Sequence, residues 1–389
     1  FPTVESTRKE YYDFIEPCLG KAPEWLKLSG FPDFIKALEK TTHCINIGGL
    51  IGSGAVKVAV KGFGKGSFTQ TQMETAKAYL REAIESGAFG VSTGIMYVPE
   101  CYSTMDEYVE LLGSVTEYNT VVSFHVRGEG DSLVSSVEEV ICIGQRAHLS
   151  VNISHFKAVG VANWNKTIFE AIEKIEKARA DGQDVTVDFY PYTGGSTTLM
   201  SLIPPSIQEP DLKETLSLLA TAQGRNRLRK EIYRPHDGWD NMVTSIGWER
   251  IIINSVNKER NKNFLGKNVG DIARELGYSD PVDFICDLLI DEQGKVGIIT
   301  MSMAQSDVDS IARLPYSFVI SDSLYGGMDS PHPRLYGSFP RIIRDYVVER
   351  RILSMETAIQ KMTQIPARRY NISGRGSLIP GNYADINIF

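Results

Sequence analysis

The segments VVSFHV (121–126) and SVNISHF (150–156), with a helical stretch at 131–147 between them, decide the fold class. Each flanking segment is short, largely apolar and rich in β-branched residues, which is typical of a strand buried on both faces of a sheet. The stretch between them is long enough for one helix. A strand, a helix and a second strand in this order predict a parallel βαβ unit.

The same alternation recurs on both sides of this unit. Further strand-like segments are CINIGGLIG (44–52), AFGVST (88–93), DVTVDFYPY (184–192) and YSFVISDS (316–323), and further helix-like segments lie near 71–87, 165–181 and 340–350. A repeat of this kind predicts an α/β fold, either a (β/α) barrel or a doubly wound sheet.

Residues 199–290 interrupt the alternation. This stretch is rich in Lys, Arg, Asn and Pro, has helical patches and contains one strand-like run, IIINSV (251–256). We interpret it as an insertion that covers or flanks a site, in the manner of a lid. A solvated surface excursion accounts equally well for its composition.

Composition and charge exclude several classes of protein. The 389 residues are 42% hydrophobic with a net charge of −7, so the chain lacks the positive charge needed for broad binding to nucleic acid or anionic membranes. No apolar run approaches the roughly 20 residues that span a bilayer. The five cysteines form no C-x-x-C pair, which favours a reducing, cytoplasmic location. We expect the partner to be a small-molecule substrate.

Two histidines lie at the carboxyl ends of successive predicted strands. His125 ends the apolar part of the first strand, and His155 has the equivalent position in the second. Neighbouring strands of a parallel barrel end at the same rim, where the sites of barrel enzymes lie. A lone strand histidine is more often structural, but two neutral imidazoles at one rim are suited to bind a divalent metal.

Asp322, in FVISDS, again follows an apolar strand. A carboxylate at such a place is often a helix N-cap or a turn residue. Because two histidines have equivalent positions, we interpret it instead as a group that accepts a proton from water and returns it to a leaving amine.

Four further side chains have the chemistry to bind a small anionic substrate. They are Lys157, Tyr190, Ser196 and Arg334. A guanidinium such as that of Arg334 binds a carboxylate through two parallel hydrogen bonds. Each of the four alone is more often structural than functional. Arg127 and Glu129, which follow the first histidine, also lie among the residues suited to bind such a substrate, and a local ion pair is the alternative interpretation.

Several motifs together resemble the N-acyl-D-amino-acid deacylases (D-aminoacylases) of the amidohydrolase superfamily. The motifs are GAFGVSTGIMYVP, SFHVRGEGDSL, ISHFKAVGVANWNK, DVTVDFYPYTGGST, SDS followed by PHPRLYGSFPR, and MTQIPARRYNISGRGSLIPGNYADINIF. The resemblance implies an incomplete TIM-like (β/α) barrel of the metal-dependent hydrolase type, with an inserted lid-like segment. The implied reaction is the zinc-dependent hydrolysis of N-acyl-D-amino acids to a carboxylate and a free D-amino acid.

The resemblance also implies roles for the residues already singled out. His125 and His155 match the strand-end ligands of Zn2+, and Asp322 matches the catalytic aspartate. The residues that match substrate-binding positions are Lys157, Tyr190, Ser196 and Arg334.

Members of this family begin with a strand carrying a His-x-His pair, followed by a cysteine that completes the zinc shell. No His-x-His occurs in this sequence. We therefore expect a fragment that lacks the N-terminal strands, has an incomplete ligand shell and is inactive alone. Its strands would be the third to eighth of the barrel, with IIINSV and VGIITMS (296–302) as accessory pieces. We assign residues 1–372 to a partial barrel domain with an insertion at about 199–290, and 373–389 to the start of a return to a small β-domain.

Two alternatives to a D-aminoacylase remain open. One is a non-catalytic barrel that binds an acylated amino acid, and the other is a cyclic-amide hydrolase of the same superfamily. The presence of Asp322 with both histidines favours the D-aminoacylase, because a barrel that only binds has no need of a group that moves protons.

Overall fold

The computed structural model of the chain describes residues 1–209, 211–234, 236, 239–325 and 330–388. The strands in these ranges are Ile51–Gly52 (β1), Gly90–Gly94 (β2), Val121–His125 (β3), Ser150–Ile153 (β4), Val185–Phe189 (β5), Gly194–Thr198 (β6), Ile251–Ser255 (β7), Gly297–Met301 (β8) and Ser317–Val319 (β9). None of the described helices is both long enough and apolar enough to cross a membrane.

Helices surround these strands. The α-helices of the described ranges are Arg8–Leu19 (α1), Phe31–Glu39 (α2), Ser53–Lys61 (α3), Gln70–Glu85 (α4), Met105–Gly113 (α5), Leu133–Ala147 (α6), Thr167–Ala180 (α7), Leu212–Leu219 (α8), Ala222–Glu231 (α9), Met242–Ile246 (α10), Val269–Glu275 (α11), Pro281–Asp291 (α12), Gln305–Arg313 (α13), Arg334–Arg341 (α14), Met355–Met362 (α15) and Gln364–Arg369 (α16). Short 3₁₀ helices lie at Glu100–Tyr102, Thr116–Tyr118, Val161–Asn163, Leu199–Leu202, Trp248–Arg250 and Glu259–Phe264, and a π-helix at Ile342–Glu349 continues α14.

Six strands form one parallel sheet in the order β1-β2-β3-β4-β5-β9. From β1 to β5 each strand lies beside the strand that precedes it in the chain. Helices α3 and α4 connect β1 to β2, and α5, α6 and α7 make the next three connections in turn. This neighbour-to-neighbour order is that of a (β/α) barrel. Among the described residues, β1 and β9 are the open edges of the sheet. The predicted incomplete TIM-like barrel is therefore confirmed.

The packing of α6 on the sheet illustrates how the sequence fixes the position of a strand end. Buried residues such as Val137, Val140 and Gly144 recur on one face of α6 at a spacing of three to four residues. A Cβ atom on Gly144 would lie only 2.3 Å from Cγ2 of Val151 in β4. The helix backbone thus lies directly on the strand that leads to His155.

The remaining strands form a second, antiparallel sheet in the order β6-β8-β7. β6 follows β5 after only a short turn, so the second sheet starts at the rim of the first. The prediction that IIINSV and VGIITMS lie outside the barrel sheet is confirmed. This part of the chain has its own apolar cluster, which includes Leu202, Ile253 and Leu289. Four residues of the predicted insertion, Pro210, Pro235, Asp237 and Gly238, and the terminal Phe389 lie outside the described residues.

The predicted strand at 44–52 is wrong in extent, because only Ile51–Gly52 pairs with β2. Ile45 and Ile47 are 74% and 45% exposed, so the apolar run does not lie in the core. Gly48 lies against the ring of Phe89, where a Cβ atom would be 2.1 Å from the ring. The backbone at Gly48 thus passes over an aromatic ring, and the sheet pairing starts only beyond it.

Candidate active site

His125 and His155 meet at the carboxyl ends of β3 and β4. His125 is the last residue of β3, and His155 lies two residues beyond the end of β4. The two strands pair in register, so they end at the same rim. Nδ1 of His125 lies 2.7 Å from Nε2 of His155. The two predicted metal ligands are therefore in direct contact.

Lys157 and Glu129 both face Nδ1 of His155. The ammonium of Lys157 lies 2.8 Å from this nitrogen and Oε1 of Glu129 lies 3.1 Å from it, so Nδ1 can accept from the lysine or donate to the carboxylate. Nε2 of His125 is buried and has no partner among the described residues. Burial lowers the pKa of His125 to about 3, so its ring is neutral at physiological pH.

Glu129 belongs to this cluster, whereas the sequence pattern indicated a substrate-binding residue or a local ion pair with Arg127. Its Oε1 accepts a hydrogen bond from Lys157 and lies 3.1 Å from Nδ1 of His155. The ion-pair prediction is wrong, because Arg127 pairs with Glu139 at 2.8 Å. Burial by itself raises the pKa of the Glu129 carboxyl, but Lys157 and the two imidazoles together hold it well below its ordinary value.

The same cluster has the spacing of a metal site. One oxygen of Glu129 and one nitrogen from each of His125 and His155 all lie within 4.8 Å of one another. The only signal for Glu129 in the sequence is its glycine-flanked position, four residues after His125.

Asp188 binds the backbone of His155 and so holds this ligand in position. It lies in β5, where its two carboxylate oxygens accept from the backbone N–H of His155 at 2.5 Å and from the side-chain amide of Asn152 at 2.6 Å. Burial raises the pKa of Asp188 to about 6, against the effect of these hydrogen bonds. His155 has a φ of +37°, a left-handed conformation that is uncommon for residues other than glycine. The Asp188 hydrogen bond holds it there. The sequence signal for Asp188 is its position as a polar residue near the carboxyl end of an apolar strand.

Asp322 and Arg334 form a second cluster. Asp322 lies three residues beyond β9, and Arg334 is the first residue of α14. Their side chains form an ion pair, and Arg334 is 2% exposed. The sequence predicted that Asp322 and Arg334 belong to the site, but nothing in it indicated that their side chains contact each other.

Arg334 is held in place on several sides. Its guanidinium lies 4.6 Å from the ring centroid of Tyr190, and Nη2 donates to the carbonyl oxygen of Ser196 at 3.3 Å. The backbone N–H of Arg334 donates to Nδ1 of His332, whose Nε2 donates to the carbonyl oxygen of Gly194, both at 3.0 Å. Burial lowers the pKa of His332 to about 4. His332 showed no ligand spacing in the sequence, and here it positions the arginine.

One cavity of about 880 Å³ brings the two clusters together. All seven predicted site residues line it: His125, His155, Lys157, Tyr190, Ser196, Asp322 and Arg334. The phenolic oxygen of Tyr190 and Nε of Arg334 are buried and have no hydrogen-bond partner among the described residues. Buried polar atoms usually have a partner, so these two atoms indicate a ligand site.

Known proteins are similar to this chain in sequence and in structure. Residues 274–389 match the amidohydrolase family. The chain is 30% identical to a D-aminoacylase over 92% of its own length, and 30% identical to an N-acyl-D-aspartate deacylase over 94%, both from Alcaligenes xylosoxydans xylosoxydans. The crystal structure of the N-acyl-D-glutamate deacylase from Bordetella bronchiseptica, complexed with zinc and a phosphonate inhibitor, superimposes with a TM-score of 0.76 at 27% identity.

The overlap covers most of this chain but only part of each relative. The chain spans 63% of the D-aminoacylase and 64% of the N-acyl-D-aspartate deacylase. The structural match covers 93% of this chain and 66% of the Bordetella enzyme. These similarities confirm the resemblance of the chain to the D-aminoacylases and other N-acyl-D-amino-acid deacylases of the amidohydrolase superfamily.

Proposed function

We propose that this chain carries the site of a zinc-dependent hydrolase that cleaves the amide bond of N-acyl-D-amino acids and releases a carboxylate and a D-amino acid. The observation that carries the proposal is the contact between His125 and His155 in the cavity that Asp322 also lines. The relatives named D-aminoacylase and N-acyl-D-aspartate deacylase, and the zinc complex of the N-acyl-D-glutamate deacylase, support it.

The residues at the rim fit a zinc ion. Neutral imidazole is a preferred zinc ligand, and the lone pair of His125 at Nδ1 faces Nε2 of His155. Nε2 of His155 can bind a metal when the ring proton is on Nδ1, where Oε1 of Glu129 is 3.1 Å away and able to accept a hydrogen bond from it. When bound, zinc polarises the substrate carbonyl and lowers the pKa of water.

Asp322 is the proposed proton carrier. Its carboxylate takes a proton from the attacking water and passes it to the nitrogen of the leaving amine, as the amide bond breaks. The ion pair with Arg334 holds this carboxylate at the cavity wall. A barrel that only binds its ligand has no use for this group, which supports the hydrolase over the non-catalytic alternative.

Arg334 is the proposed anchor of the substrate carboxylate. A guanidinium has five N–H donors, and Asp322 and Ser196 each accept one. Nε of Arg334 and the hydroxyl of Tyr190 are both buried and have no hydrogen-bond partner among the described residues. These free donors support the binding of a carboxylate by this pair of residues. The substrate-binding roles of Lys157 and Ser196 stay predictions.

We retain two proposals on organisation and location. Residues such as Met200, Gln208 and Met242 contribute to the cavity wall, which supports a lid-like role for the insertion at about 199–290 within a barrel domain of residues 1–372. All five cysteines are free, which supports a reducing, cytoplasmic compartment.

Hydrolysis by the full-length, zinc-loaded protein tests the function. N-acetyl-D-leucine should yield acetate and D-leucine, N-acetyl-L-leucine should not react, and metal analysis should find about one tightly bound zinc per chain. Hydrolysis of a hydantoin but not of N-acetyl-D-leucine would favour the cyclic-amide hydrolase. The absence of any amide hydrolysis would contradict the proposal.

A further inference from the structure

Asp240, in the predicted insertion, binds the loop that carries Glu129. This loop connects β3 to α6. Oδ2 of Asp240 accepts from the backbone N–H of Gly130 at 2.6 Å. Its Oδ1 accepts from the hydroxyl of Ser132 at 2.8 Å and from the backbone N–H of Ser132 at 3.3 Å. Three donors of one loop therefore converge on a single carboxylate.

The glycines on either side of Glu129 leave room for this carboxylate. A Cβ atom on Gly128 would lie 2.6 Å from Oδ2 of Asp240, and one on Gly130 would lie 3.2 Å from Cγ of Asp240. A side chain at Gly128 would therefore displace the carboxylate. The sequence Gly-Glu-Gly thus allows the close contact between the loop and the insertion.

The position of Asp240 at the amino-terminal end of α6 strengthens the contact. Ser132 directly precedes this helix. The first N–H groups of a helix have no partner within it, and the helix dipole favours a negative charge at this end. Hydrogen bonds to an ionised carboxylate are also stronger than those between neutral groups. Asp240 is thus suited to hold the loop firmly.

The loop connects Asp240 to the proposed metal site through Glu129. The carbonyl oxygen of Glu129 accepts from the backbone N–H of Val159 at 2.7 Å, so the backbone of Glu129 is held between Val159 and Asp240. From there its side chain reaches into the site, where Oε1 lies 3.1 Å from Nδ1 of His155. The place of this carboxylate therefore depends on contacts made outside the site.

The stretch that contains Asp240 also lines the substrate cavity. Trp239 and Met242 both contribute to the cavity wall, and Trp239 is buried. The side chain of Asn241 donates to the carbonyl oxygen of Ile232 at 2.6 Å, which anchors this stretch within the insertion. The same few residues thus contact both the cavity and the loop that carries Glu129.

Resting on the proposed function, we infer that Asp240 is a positioning residue of the zinc site. It holds the loop so that the carboxylate of Glu129 faces Nδ1 of His155, which leaves Nε2 of His155 available to the metal. Asp240 acts on the metal through these two residues and not as a ligand. The insertion thereby contributes to metal binding as well as to the cavity wall.

Zinc affinity of the full-length protein, measured by competition with a chromophoric chelator, tests the inference. Asp240→Asn should lower it by about tenfold, at the lower end of the losses typical for groups that support a metal ligand. A variant with both Asp240→Asn and Glu129→Gln should bind zinc no more weakly than Glu129→Gln alone, because Asp240 acts through Glu129. Unchanged zinc affinity of Asp240→Asn, or losses that add in the double variant, would overturn the inference.

Asp307→Asn is the matched control. Asp307 is likewise a carboxylate that accepts from a loop, the backbone N–H of Asn165, at 3.1 Å and 3.2 Å, but it does not line the cavity. Its replacement should leave zinc affinity unchanged. If Asp307→Asn weakened zinc binding as much as Asp240→Asn, a general loss of stability would explain both effects, and the inference would be overturned.

Ser132→Ala tests the same contact if Asp240→Asn does not fold. It removes one of the three hydrogen bonds to Asp240 and leaves the insertion unchanged. Zinc affinity should fall by about threefold, the order expected for one hydrogen bond. Native zinc affinity in this variant would overturn the inference.

These affinities separate the inference from the proposed function, because they need no turnover. If zinc affinity falls as expected in the variants but the native protein hydrolyses no N-acyl-D-amino acid, the inference stands and only the hydrolase function is contradicted. If the native protein is active but Asp240→Asn binds zinc as tightly, only the inference is overturned. A native protein that binds no zinc would contradict both.

Discussion

Oδ2 of Asp322 lies 2.6 Å from Nη1 of Arg334, so the proposed proton carrier and the proposed carboxylate anchor form one ion pair. Asp322 has a φ of +49°, a left-handed conformation that aspartate tolerates better than most residues. The loop after β9 thus turns the carboxylate toward the start of α14. Because the two groups share a hydrogen bond, a change at either residue is expected to affect both binding and chemistry.

Asp322→Asn should abolish turnover while zinc remains bound. The amide has nearly the same shape but cannot accept a proton from water, and general base catalysis contributes about 10²–10⁴-fold to a rate. Kinetics with N-acetyl-D-leucine measures the loss of turnover, and metal analysis of the same sample measures the retained zinc. Asp309→Asn is the matched control, because Asp309 is also paired with an arginine, Arg350, but does not line the cavity. Normal activity of the Asp322 variant would show that another group moves the proton.

Arg334→Ala should raise KM for N-acyl-D-amino acids by about 10–100-fold, the effect of losing a charge-assisted hydrogen bond. The corresponding amides, which lack the carboxylate, should show no such increase, and this comparison is the decisive measurement. Arg341 offers a control, because it lies 4.4 Å from the ring centroid of Tyr192 much as Arg334 lies on Tyr190. If Arg341→Ala raised KM as much as Arg334→Ala, Arg334 would not be the specific anchor of the substrate carboxylate.

Glu129→Gln should weaken zinc binding by about 10–100-fold, the usual effect of losing a carboxylate that orients a histidine ligand. In the zinc-bound protein the carboxylate would accept a hydrogen bond from Nδ1 of His155 and so leave Nε2 free for the metal, and glutamine is a weaker acceptor. Competition with a chromophoric chelator gives the affinity without any assay of turnover. Glu139→Gln, which removes the partner of Arg127, should leave zinc affinity unchanged. Equal zinc affinities of the Glu129 variant and the native protein would exclude this role.

His332 should make the native fold less stable as the pH falls from about 6.5 to about 4. Its pKa is lowered by burial from 6.5 to about 4, so in this range the unfolded chain binds a proton that the folded chain does not. The free energy of unfolding therefore falls with decreasing pH, by up to about 3 kcal/mol from this group. Urea unfolding at pH 7 and pH 4.5 gives the change in the free energy of unfolding with pH, for the native protein and for His332→Gln. A variant whose stability falls as steeply as that of the native protein would rule out this contribution.

Gly144→Ala should lower the free energy of unfolding by about 1–3 kcal/mol, because the new methyl group collides with Val151 in β4. Gly113→Ala, in α5, is the matched change, because a Cβ atom there has nothing within 4 Å. It should be neutral or stabilising by up to about 1 kcal/mol. Denaturant unfolding of both variants measures the difference. Equal changes in the free energy of unfolding for Gly144→Ala and Gly113→Ala would contradict the close approach of α6 to the sheet.

The strand order and the site could be predicted because both depend on local patterns. Runs of apolar residues with polar residues at their carboxyl ends are visible in sequence, and parallel strands bring those ends to one rim. The strand at 44–52 was predicted too long, because an apolar composition does not reveal whether side chains are buried. The Arg127–Glu129 pair was wrong for a related reason: neighbours in sequence need not face each other, and Glu139 on α6 lies closer to the arginine.

By itself the sequence determined the α/β architecture, the two histidines and the aspartate of the candidate site, and the family that the chain resembles, because each follows from residue type and spacing. Only the tertiary structure decided that Glu129 and Lys157 join the histidines, and that Asp322 pairs with Arg334. These facts depend on the direction in which each side chain leaves the rim. That direction is set by the register of β3 and β4 and by the left-handed backbone at His155 and Asp322.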